Sequence, residues 1–336
     1  MATTSEVRRE NVAAVRRLLW QGGLFSKKDV ASELGLSVAS CNTLLNDMAA
    51  AGEVTAEPHR TGSAGRGGLC YRAAEDYASI AIVHVDLDGD ERVFHAKILS
   101  LTGAALESLD LALSRLDAEA LVSLIGEACS LRKNVRQIVL GVPGSVRAGV
   151  VDHCDLSELN GADIASAVAE RIGIPLHIEN DMHLKAAGYC RACCSREDVI
   201  TLANFPPHVL PGTTTVHAGE PIRGAHGFAG MIGFIPYERG GEQLSRERLV
   251  KLLSPETCRP LVTRGVATLC ATLNPNVIVL TGGLLDEDCT SWLREGCART
   301  LPEEFLPEFR FERNFDRYYQ IGMHQTALGH LERTLS

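Results

Sequence analysis

The chain has 336 residues, of which 45% are hydrophobic, 22% charged and 5% aromatic. This composition is too apolar for a disordered chain, and the length predicts two or three domains that fold without disulfides. The first ten residues are polar, and no apolar run approaches the roughly 18 residues that a membrane span requires. We therefore expect a cytoplasmic protein with no export signal and no membrane association.

Eleven cysteines are scattered along the chain. Without an export signal, this spacing favours reduced thiols over a disulfide framework. A metal cluster around Cys190, Cys193 and Cys194 is the alternative, but adjacent cysteines on a helix point in different directions and no second Cys-x-x-Cys follows. We expect neither a metal site nor a cofactor.

The formal net charge of −9 is unevenly distributed. Residues 1–75 carry nine Lys and Arg against eight Asp and Glu, a net +1, so the remainder carries −10. A chain with this balance does not coat nucleic acid by bulk attraction. Any contact with DNA is expected from the first 75 residues.

Three stretches of the first 75 residues have helical spacing. The first, residues 8–20, places Arg8, Arg9, Arg16 and Arg17 on its polar face. Ser26 is the predicted cap of the second helix, which ends at Gly35. Ser37 is the predicted cap of the third, residues 38–51. The predicted buried stripe of the third helix consists of Val38, Cys41, Leu44, Leu45 and Met48.

A helix, a tight turn containing Gly and a short second helix form the helix-turn-helix pattern. In that motif the second helix enters the major groove, where its first residues meet base edges. The exposed residues of the third helix are small, polar and uncharged, which suits hydrogen bonding to bases. The predicted base-contacting residues are Ser37, Ser40, Asn42, Thr43 and Asn46.

Two short strands, residues 53–57 and 69–72, flank a Gly-rich loop and predict a wing. Arg60 and Arg66 in this loop are expected to contact phosphates or a narrow minor groove. A solvated hairpin tip or a linker is the alternative for the loop. A three-helix bundle used for protein contacts is the alternative for the whole segment.

Residues 76–336 alternate between strand-like and helical runs, which predicts an α/β domain with two similar lobes. We expect one lobe to span residues 76–195 with the C-terminal helix, and the other to span residues 196–320. The strand-like runs are 81–85, 92–99, 137–141, 176–178, 198–202, 213–217 and 277–280. The helical runs are 116–128, 164–172, 262–273 and a terminal helix from His324.

Motifs in both segments resemble the ROK family (repressor, open reading frame, kinase). In the first segment, Gly23-Leu24-Phe25-Ser26, Leu34-Gly35-Leu36-Ser37 and Gly65-Arg66-Gly67 are similar to the winged helix-turn-helix of ROK repressors. The second segment carries, in order, Val139-Leu140-Gly141-Val142-Pro143-Gly144, Glu179-Asn180-Asp181, Ile222 to Gly230, and Leu273-Asn274-Pro275 with Thr281-Gly282-Gly283-Leu284. The resemblance implies a winged helix-turn-helix, residues 1–75, followed by an actin-like, two-lobed ROK sugar-kinase-like domain, residues 76–336.

Both phosphate turns of the family are altered in this chain. The first reads Asp-x-Gly-Gly-Thr in the family but Asp86-Leu87-Asp88-Gly89-Asp90 here. Like charges a few Å apart repel by about 1 kcal/mol even in water, so the added carboxylates oppose a phosphate. The second turn, Gly-Thr-Gly in the family, is replaced by Ala203-Asn204-Phe205-Pro206-Pro207, which removes glycines and amide donors. We expect poor ATP binding and no catalysis.

The resemblance places Asp181 where ROK kinases keep their general base, and we interpret Asp181 as a vestigial base. The alternative is that Asp181 only caps the helix that follows. A Glu and a His of the family's sugar pocket are replaced by Met231 and Phe234, and Asp155 replaces an Asn. The predicted ligand-binding residues are Gly144, Asp155, Asn180, Asp181, Met231 and Phe234.

Two histidines and the zinc site of the family can also be interpreted from the sequence. His183 is interpreted as a solvated helix residue, and His226 as a surface or packed residue. The zinc cluster that the family builds from a His and closely spaced cysteines has no counterpart, because residues 235–254 contain no Cys.

These features favour a DNA-binding transcription regulator, a repressor by resemblance, whose second domain senses a ligand and is not an enzyme. An active ATP-dependent sugar kinase is one alternative, and a platform for protein contacts or dimerisation is another. The expected partners are a duplex DNA operator, a sugar-like small-molecule effector and further copies of the chain. A homodimer or higher homo-oligomer would read paired half-sites.

Overall fold

A computed structural model of the chain describes residues 4–59, 68–88, 91–147, 149–207 and 209–335. Across these ranges, none of the helices has both the length and the apolar character that crossing a membrane requires.

The described helices and strands alternate along most of the chain. The α-helices are α1 (Thr4–Leu19), α2 (Lys27–Leu34), α3 (Val38–Ala50), α4 (Ala118–Ser130), α5 (Ile164–Arg171), α6 (Asp181–Cys193), α7 (Arg246–Leu252), α8 (Arg259–Leu273), α9 (Cys289–Ala298) and α10 (Asp316–Thr334). The strands are β1 (Phe25–Ser26), β2 (Val54–His59), β3 (Gly68–Ala73), β4 (Ser79–Asp88), β5 (Glu91–Ser100), β6 (Ala105–Leu113), β7 (Val135–Val142), β8 (Ser145–Arg147), β9 (Val150–Asp152), β10 (Leu176–Asn180), β11 (Ile200–Asn204), β12 (Gly212–His217), β13 (Glu220–Pro221), β14 (Glu238–Arg239), β15 (Glu242–Gln243), β16 (Val277–Thr281) and β17 (Glu308–Phe311).

The two helices of the helix-turn-helix begin at the predicted caps. The Ser26 hydroxyl accepts a hydrogen bond from the Asp29 backbone N–H, and the Asp29 carboxylate accepts one from the Ser26 N–H, which forms a capping box. Gly35 ends α2 in the left-handed conformation, with φ at 66°. The Ser37 hydroxyl accepts from the Ser40 N–H at 3.0 Å. The predicted caps of both helices are confirmed.

Helices α1 to α3 enclose a small core that includes Val15, Val30, Cys41 and Leu45. The prediction that Val38 is buried is wrong, since its side chain is 48% exposed. Val38 is the first residue of α3, and side chains of a helix lean towards its N-terminus, so this one extends beyond the core.

Arg16 is a second correction, because it was predicted on the polar face of α1 but is buried. Its Nε and Nη2 atoms each lie 2.8 Å from a carboxylate oxygen of Glu53, which precedes β2. A charge-assisted, bidentate pair of this kind satisfies the buried guanidinium. This pair fixes α1 to the start of the wing.

The predicted strand pair of the wing is confirmed as β2 and β3, which are antiparallel from Val54↔Ala73 to His59↔Gly68. The two-residue strand β1 adds a third strand, with Phe25 opposite Tyr71. Arg60 and Arg66, the predicted DNA-contacting residues of the loop, lie outside the described residues.

Two five-stranded sheets follow, with the orders β10-β7-β4-β5-β6 and β13-β12-β11-β16-β17. In each sheet the first three strands along the chain are antiparallel neighbours, and the fourth and fifth continue from the first strand. In the second sheet β16 is parallel to both β11 and β17. The repeated order agrees with the predicted α/β fold with two similar halves.

The chain forms two compact units. One comprises Met1–Leu140, Asp163–Ile178 and His324–Ser336, and the other comprises Gly141–Ala162 and Glu179–Met323. The domain boundary after residue 75 lies inside the first unit and stays a prediction, as do the lobe limits. The terminal helix begins at Asp316, eight residues before the predicted start, because the Asn314 side chain caps it by accepting from the Asp316 N–H at 2.7 Å.

Within the second unit, α6 and α10 cross with their backbones in contact. A Cβ added to Gly188 would lie 1.8 Å from the Tyr318 carbonyl oxygen, and one added to Gly322 would lie 1.9 Å from the Leu184 carbonyl oxygen. Only glycine permits this approach at both positions. The crossing holds the N-terminal end of α6, where the predicted ligand-binding residues Asn180 and Asp181 lie.

Candidate functional site

The outer face of α3 carries the five predicted base-contacting residues. Ser37, Ser40, Asn42, Thr43 and Asn46 are all exposed. The Ser37 hydroxyl is already engaged, since it caps the helix and lies 2.9 Å from the Ser40 hydroxyl. Asn42 and Asn46 are one turn apart, which places their amide groups side by side.

Two residues of this face were missed by the sequence analysis. Lys27 at the start of α2 donates hydrogen bonds to the side-chain oxygens of Asn42 and Asn46, and the Asn46 amide nitrogen donates to the Asn42 side-chain oxygen at 3.5 Å. Val38 adds an exposed apolar side chain beside them. Amide donors, a Lys and an apolar group are the groups that contact base edges, phosphates and thymine methyls, respectively.

A cavity of about 640 Å³ lies within the second unit. All six predicted ligand-binding residues line it: Gly144, Asp155, Asn180, Asp181, Met231 and Phe234. They come from four separate segments of the chain. The structure therefore brings the predicted residues together, and their binding of a ligand stays a prediction.

Asn180 organises the floor of this cavity. Its side-chain oxygen accepts from the backbone N–H groups of Met182 and His183, and its side-chain nitrogen donates to the Gly144 carbonyl at 2.7 Å. Asn180 is thus the cap of α6, and the alternative that Asp181 caps this helix is wrong. Gly144 is required for close packing, since a Cβ there would lie 2.6 Å from the Cys154 Cα.

The two aspartates of the cavity have different surroundings. One Asp181 oxygen accepts from Lys185 Nζ at 2.7 Å, so the carboxylate is held in an ion pair one turn along α6. Asp155 faces the cavity, and its pKa is raised above the ordinary value by burial and, second, by the charge of Asp181. A partly buried carboxylate that lies near a second one favours a ligand that donates hydrogen bonds.

A buried glutamate beside the aspartates, with an exposed arginine and a buried histidine as its partners, was not predicted. Glu179 is 7% exposed, and its carboxylate accepts from Arg223 Nη2 at 2.6 Å and pairs with His183 Nδ1 at 2.8 Å. The interpretation of His183 as solvated is wrong, because packing and this contact bury the ring. His226 is exposed and is not among the residues that line the cavity.

The opposite wall of the cavity is apolar. Phe228 and Phe234 pack edge to face with ring centroids 5.0 Å apart, and both are partly exposed. Met231 lies between them in sequence and also lines the cavity. The Arg246 guanidinium lies over the Phe234 ring at 4.3 Å. An exposed aromatic pair inside a cavity is suited to an apolar or planar group of a ligand.

The second phosphate turn has become part of the sheet. Strand β11 continues to Asn204, and the Phe205 N–H donates to the Thr281 carbonyl at 2.9 Å. The Phe205 side chain is fully buried in the core of the unit. A Cβ added to Gly282 would lie 2.4 Å from the Phe205 carbonyl oxygen, so this segment packs directly on the Gly282-Gly283 loop. The first altered turn includes Gly89 and Asp90, which lie outside the described residues.

One model of a known protein family matches part of the chain. A family model described as "ROK family" matches residues 116–245. Residues 116–245 therefore carry a ROK family region. A search of curated protein sequences finds no match.

Among solved structures, a ROK family transcriptional regulator, a homologue of the E. coli Mlc protein, has a TM-score of 0.69 and 15% identity, and the match covers 98% of each chain. A putative N-acetylmannosamine kinase from Listeria monocytogenes has a TM-score of 0.61 and 14% identity, covering 75% of this chain and 100% of the other. The ROK hexokinase of Thermus thermophilus has a TM-score of 0.58 and 20% identity, covering 76% and 100%. These likenesses show that the chain has the winged helix-turn-helix and actin-like fold.

Proposed function

We propose that this protein is a DNA-binding transcription regulator of the ROK family whose second domain binds a small molecule without phosphorylating it. The observation that carries the proposal is the packing of Phe205 on the Gly282-Gly283 loop, in a chain that also has an exposed polar recognition helix. Phosphoryl transfer needs free backbone amides around the phosphates. Here the Phe205 amide is bonded to Thr281, and the Leu284 amide is bonded to the Phe205 carbonyl.

Three groups on α2 and α3 are proposed to recognise the operator. The Asn42 and Asn46 amides contact base edges in the major groove, and the Val38 methyl groups contact a thymine methyl. Lys27 contacts the phosphate backbone of the DNA. Arg60 and Arg66 of the wing loop contact phosphates. By likeness to the regulator, we propose that the protein regulates transcription. We further propose that it is a repressor and that it binds paired half-sites as a homodimer or higher homo-oligomer, because two-fold symmetric proteins read such sites.

The cavity supports a sugar-like effector with an apolar substituent. Hydroxyl groups of the sugar donate to Asp155 and Asp181, and the substituent rests against Phe228 and Phe234. The family's polar Glu and His at the positions of Met231 and Phe234 would suit an unmodified sugar better. This difference favours an acylated or aryl-substituted polyol over a free hexose.

An active kinase is the second candidate, because Asp181 remains in the cavity and kinases are among the structural neighbours. The ion pair between Asp181 and Lys185 opposes this function, since Lys185 holds the oxygen that would accept the sugar proton. Turnover of ATP with any sugar or acylated sugar would overturn the proposal of a non-catalytic domain.

The DNA-binding proposal is tested by selecting duplexes from a random pool with the full chain at modest salt. We expect one preferred sequence. Asn42→Ala should weaken the binding of that duplex by about 1–3 kcal/mol, which is the cost of a lost base contact. Thr43→Ala and Thr272→Ala form a matched pair, because each residue is exposed and its hydroxyl donates to the carbonyl four residues earlier. Only Thr43→Ala should alter the selected sequence. Recovery of no preferred sequence would contradict the proposal.

A further inference from the structure

Two histidines and an aspartate converge on one face of the first five-stranded sheet. His84 on β4 lies directly opposite His95 on β5. Asp86 follows His84 by two residues on the same strand. Because side chains alternate between the faces of a strand, His84 and Asp86 project from the same face, and His95 joins them from the neighbouring strand.

The distances within this His84–Asp86–His95 cluster are close to those of a metal site. Asp86 Oδ2 lies 3.4 Å from His84 Nε2 and 3.8 Å from His95 Nε2. One ligand atom from each residue can be chosen so that all three lie within 4.8 Å of one another. Bonds of about 2.0–2.2 Å to a tetrahedral ion place neighbouring ligand atoms about 3.3–3.6 Å apart. Side-chain adjustments of about 1 Å therefore bring the three atoms to bonding distance.

A fourth residue orients one of the histidines. Asp110 on β6 lies opposite His95, and its Oδ1 atom is 2.6 Å from His95 Nδ1. A carboxylate bonded to one ring nitrogen fixes the tautomer that leaves the other nitrogen as a ligand, the usual arrangement around a metal-bound histidine. Here the remaining nitrogen, Nε2, is the one that faces Asp86.

The three side chains of the cluster are packed on the sheet but remain accessible to solvent. The His84 and His95 rings are stacked with centroids 4.7 Å apart, and their side chains are 21% and 29% exposed, whereas Asp86 is 51% exposed. An ion can thus reach the three ligand atoms from solvent while the sheet holds the imidazoles. Lys97, two residues from His95 on β5, is the nearest cation along that strand on the same face and is not a ligand.

We propose that His84, Asp86 and His95 bind a first-row divalent transition metal ion, with Asp110 as the positioning residue. Imidazole and carboxylate donors suit Zn²⁺, Co²⁺, Ni²⁺ and Fe²⁺ better than Ca²⁺ or Mg²⁺, which prefer oxygen ligands. Three protein ligands leave at least one position for water. The site shares no residue with the cavity or with the recognition helix. Asp86 also begins the first altered phosphate turn, but the proposed function rests on the second turn, so the two proposals can fail separately.

The test is a titration of the full chain with Co²⁺, followed by competition with Zn²⁺. We expect one Co²⁺ per chain, with visible d–d absorption and without the near-ultraviolet band of thiolate coordination. His84→Ala and His95→Ala should abolish this absorption, and Asp110→Asn should weaken binding about 10- to 100-fold. His217→Ala, which removes an exposed strand histidine elsewhere, should leave binding unchanged.

Three results would overturn the site. They are the absence of Co²⁺ absorption in the wild-type chain, absorption that survives in both His84→Ala and His95→Ala, and a thiolate band that disappears when Cys193 and Cys194 are replaced by Ser. Should an Ala variant fail to fold, His84→Gln carries the same expectation, because it keeps a polar side chain of similar size on β4.

Discussion

At the scale of single residues, three carboxylates around the cavity are stabilised to different degrees. Glu179 is compensated by Arg223 and His183, and Asp181 by Lys185. Asp155 has a raised pKa, which means that the folded state binds its proton more tightly than the unfolded chain does. Its ionised form therefore destabilises the fold, which is the behaviour expected of a residue retained for binding.

The charge of Asp155 is thus expected to reduce stability at neutral pH. The loss begins as pH rises past the unfolded value near 3.8 and is complete above the raised folded value. Asp155→Asn removes the charge, so it should increase the melting temperature at pH 7 and have no such effect below about pH 3. Thermal unfolding of both chains across this pH range measures the difference.

Asp163→Asn is the control of opposite sign. Hydrogen bonds from the Ser166 backbone and hydroxyl lower the pKa of Asp163, so its charge stabilises the fold above the unfolded value and the benefit is lost as pH falls through the folded value. This variant should melt at a lower temperature at pH 7. A decrease in both variants would show that charge at Asp155 does not oppose folding.

Sequence motifs predicted the cavity residues because each motif carries its own local signal. Asn180, Asp181 and Gly144 fall in short stretches that resemble the family. The salt bridge from Glu179 to Arg223 joins residues 44 positions apart, and nothing local to either residue indicates it. Val38 and Arg16 were misassigned for a related reason, since helical periodicity identifies a face but not what covers its ends.

At the scale of elements, the helices whose starts were predicted well from the sequence are those that have a recognisable capping residue. Ser26, Gly35 and Ser37 act on the adjacent backbone, so α2 and α3 were predicted to within a residue at their starts. Alternating apolar and polar residues can identify β4 and β5 as strands. The alternation does not determine which residue of one strand lies opposite which residue of the other. The opposition of His84 and His95 could therefore be seen only in the structure.

The crossing of α6 and α10 yields a prediction about packing. Gly188→Ala places a methyl group against the backbone of α10 and should destabilise the protein by about 3 kcal/mol or more, the upper range for overpacking. Gly329→Ala, also in α10, meets nothing closer than the Arg333 side chain at 4.0 Å. It should stabilise by about 0.5–1 kcal/mol through helix propensity. The midpoints of urea unfolding give both values.

An equal effect of the two substitutions would contradict the close crossing. Gly322→Ala provides a further check, because its added methyl group would meet the Leu184 carbonyl from the opposite side of the same contact. Gly322→Ala should destabilise the protein as Gly188→Ala does, and should not stabilise it as Gly329→Ala does, although Gly322 and Gly329 belong to the same helix.

At the scale of the whole molecule, charge is unevenly distributed along the chain. Residues 1–75 carry +1 and the remainder −10. Several cations of the first segment are already paired, among them Arg8 with Asp47, Arg16 with Glu53 and Arg72 with Glu57. These pairs reduce the number of cations available to phosphates, so non-specific binding should be weak and base contacts should supply much of the affinity. This favours a regulator that depends on sequence and on pairing of copies.

If the cavity binds an effector that controls the operator, the two affinities must be linked. A ligand that changes operator affinity by some factor must have its own affinity changed by the same factor when DNA is bound, typically 5- to 150-fold. A thermal-shift screen of acylated and aryl-substituted sugars would identify the ligand, and its dissociation constant is then measured with and without saturating operator. At the operator concentration that just saturates the unmodified chain, Asn42→Ala should retain ligand binding but show a smaller effect of DNA, because less of the variant is bound to operator. A ligand whose affinity is the same with and without operator would refute sensing, while the selection of a DNA sequence would still support the recognition helix.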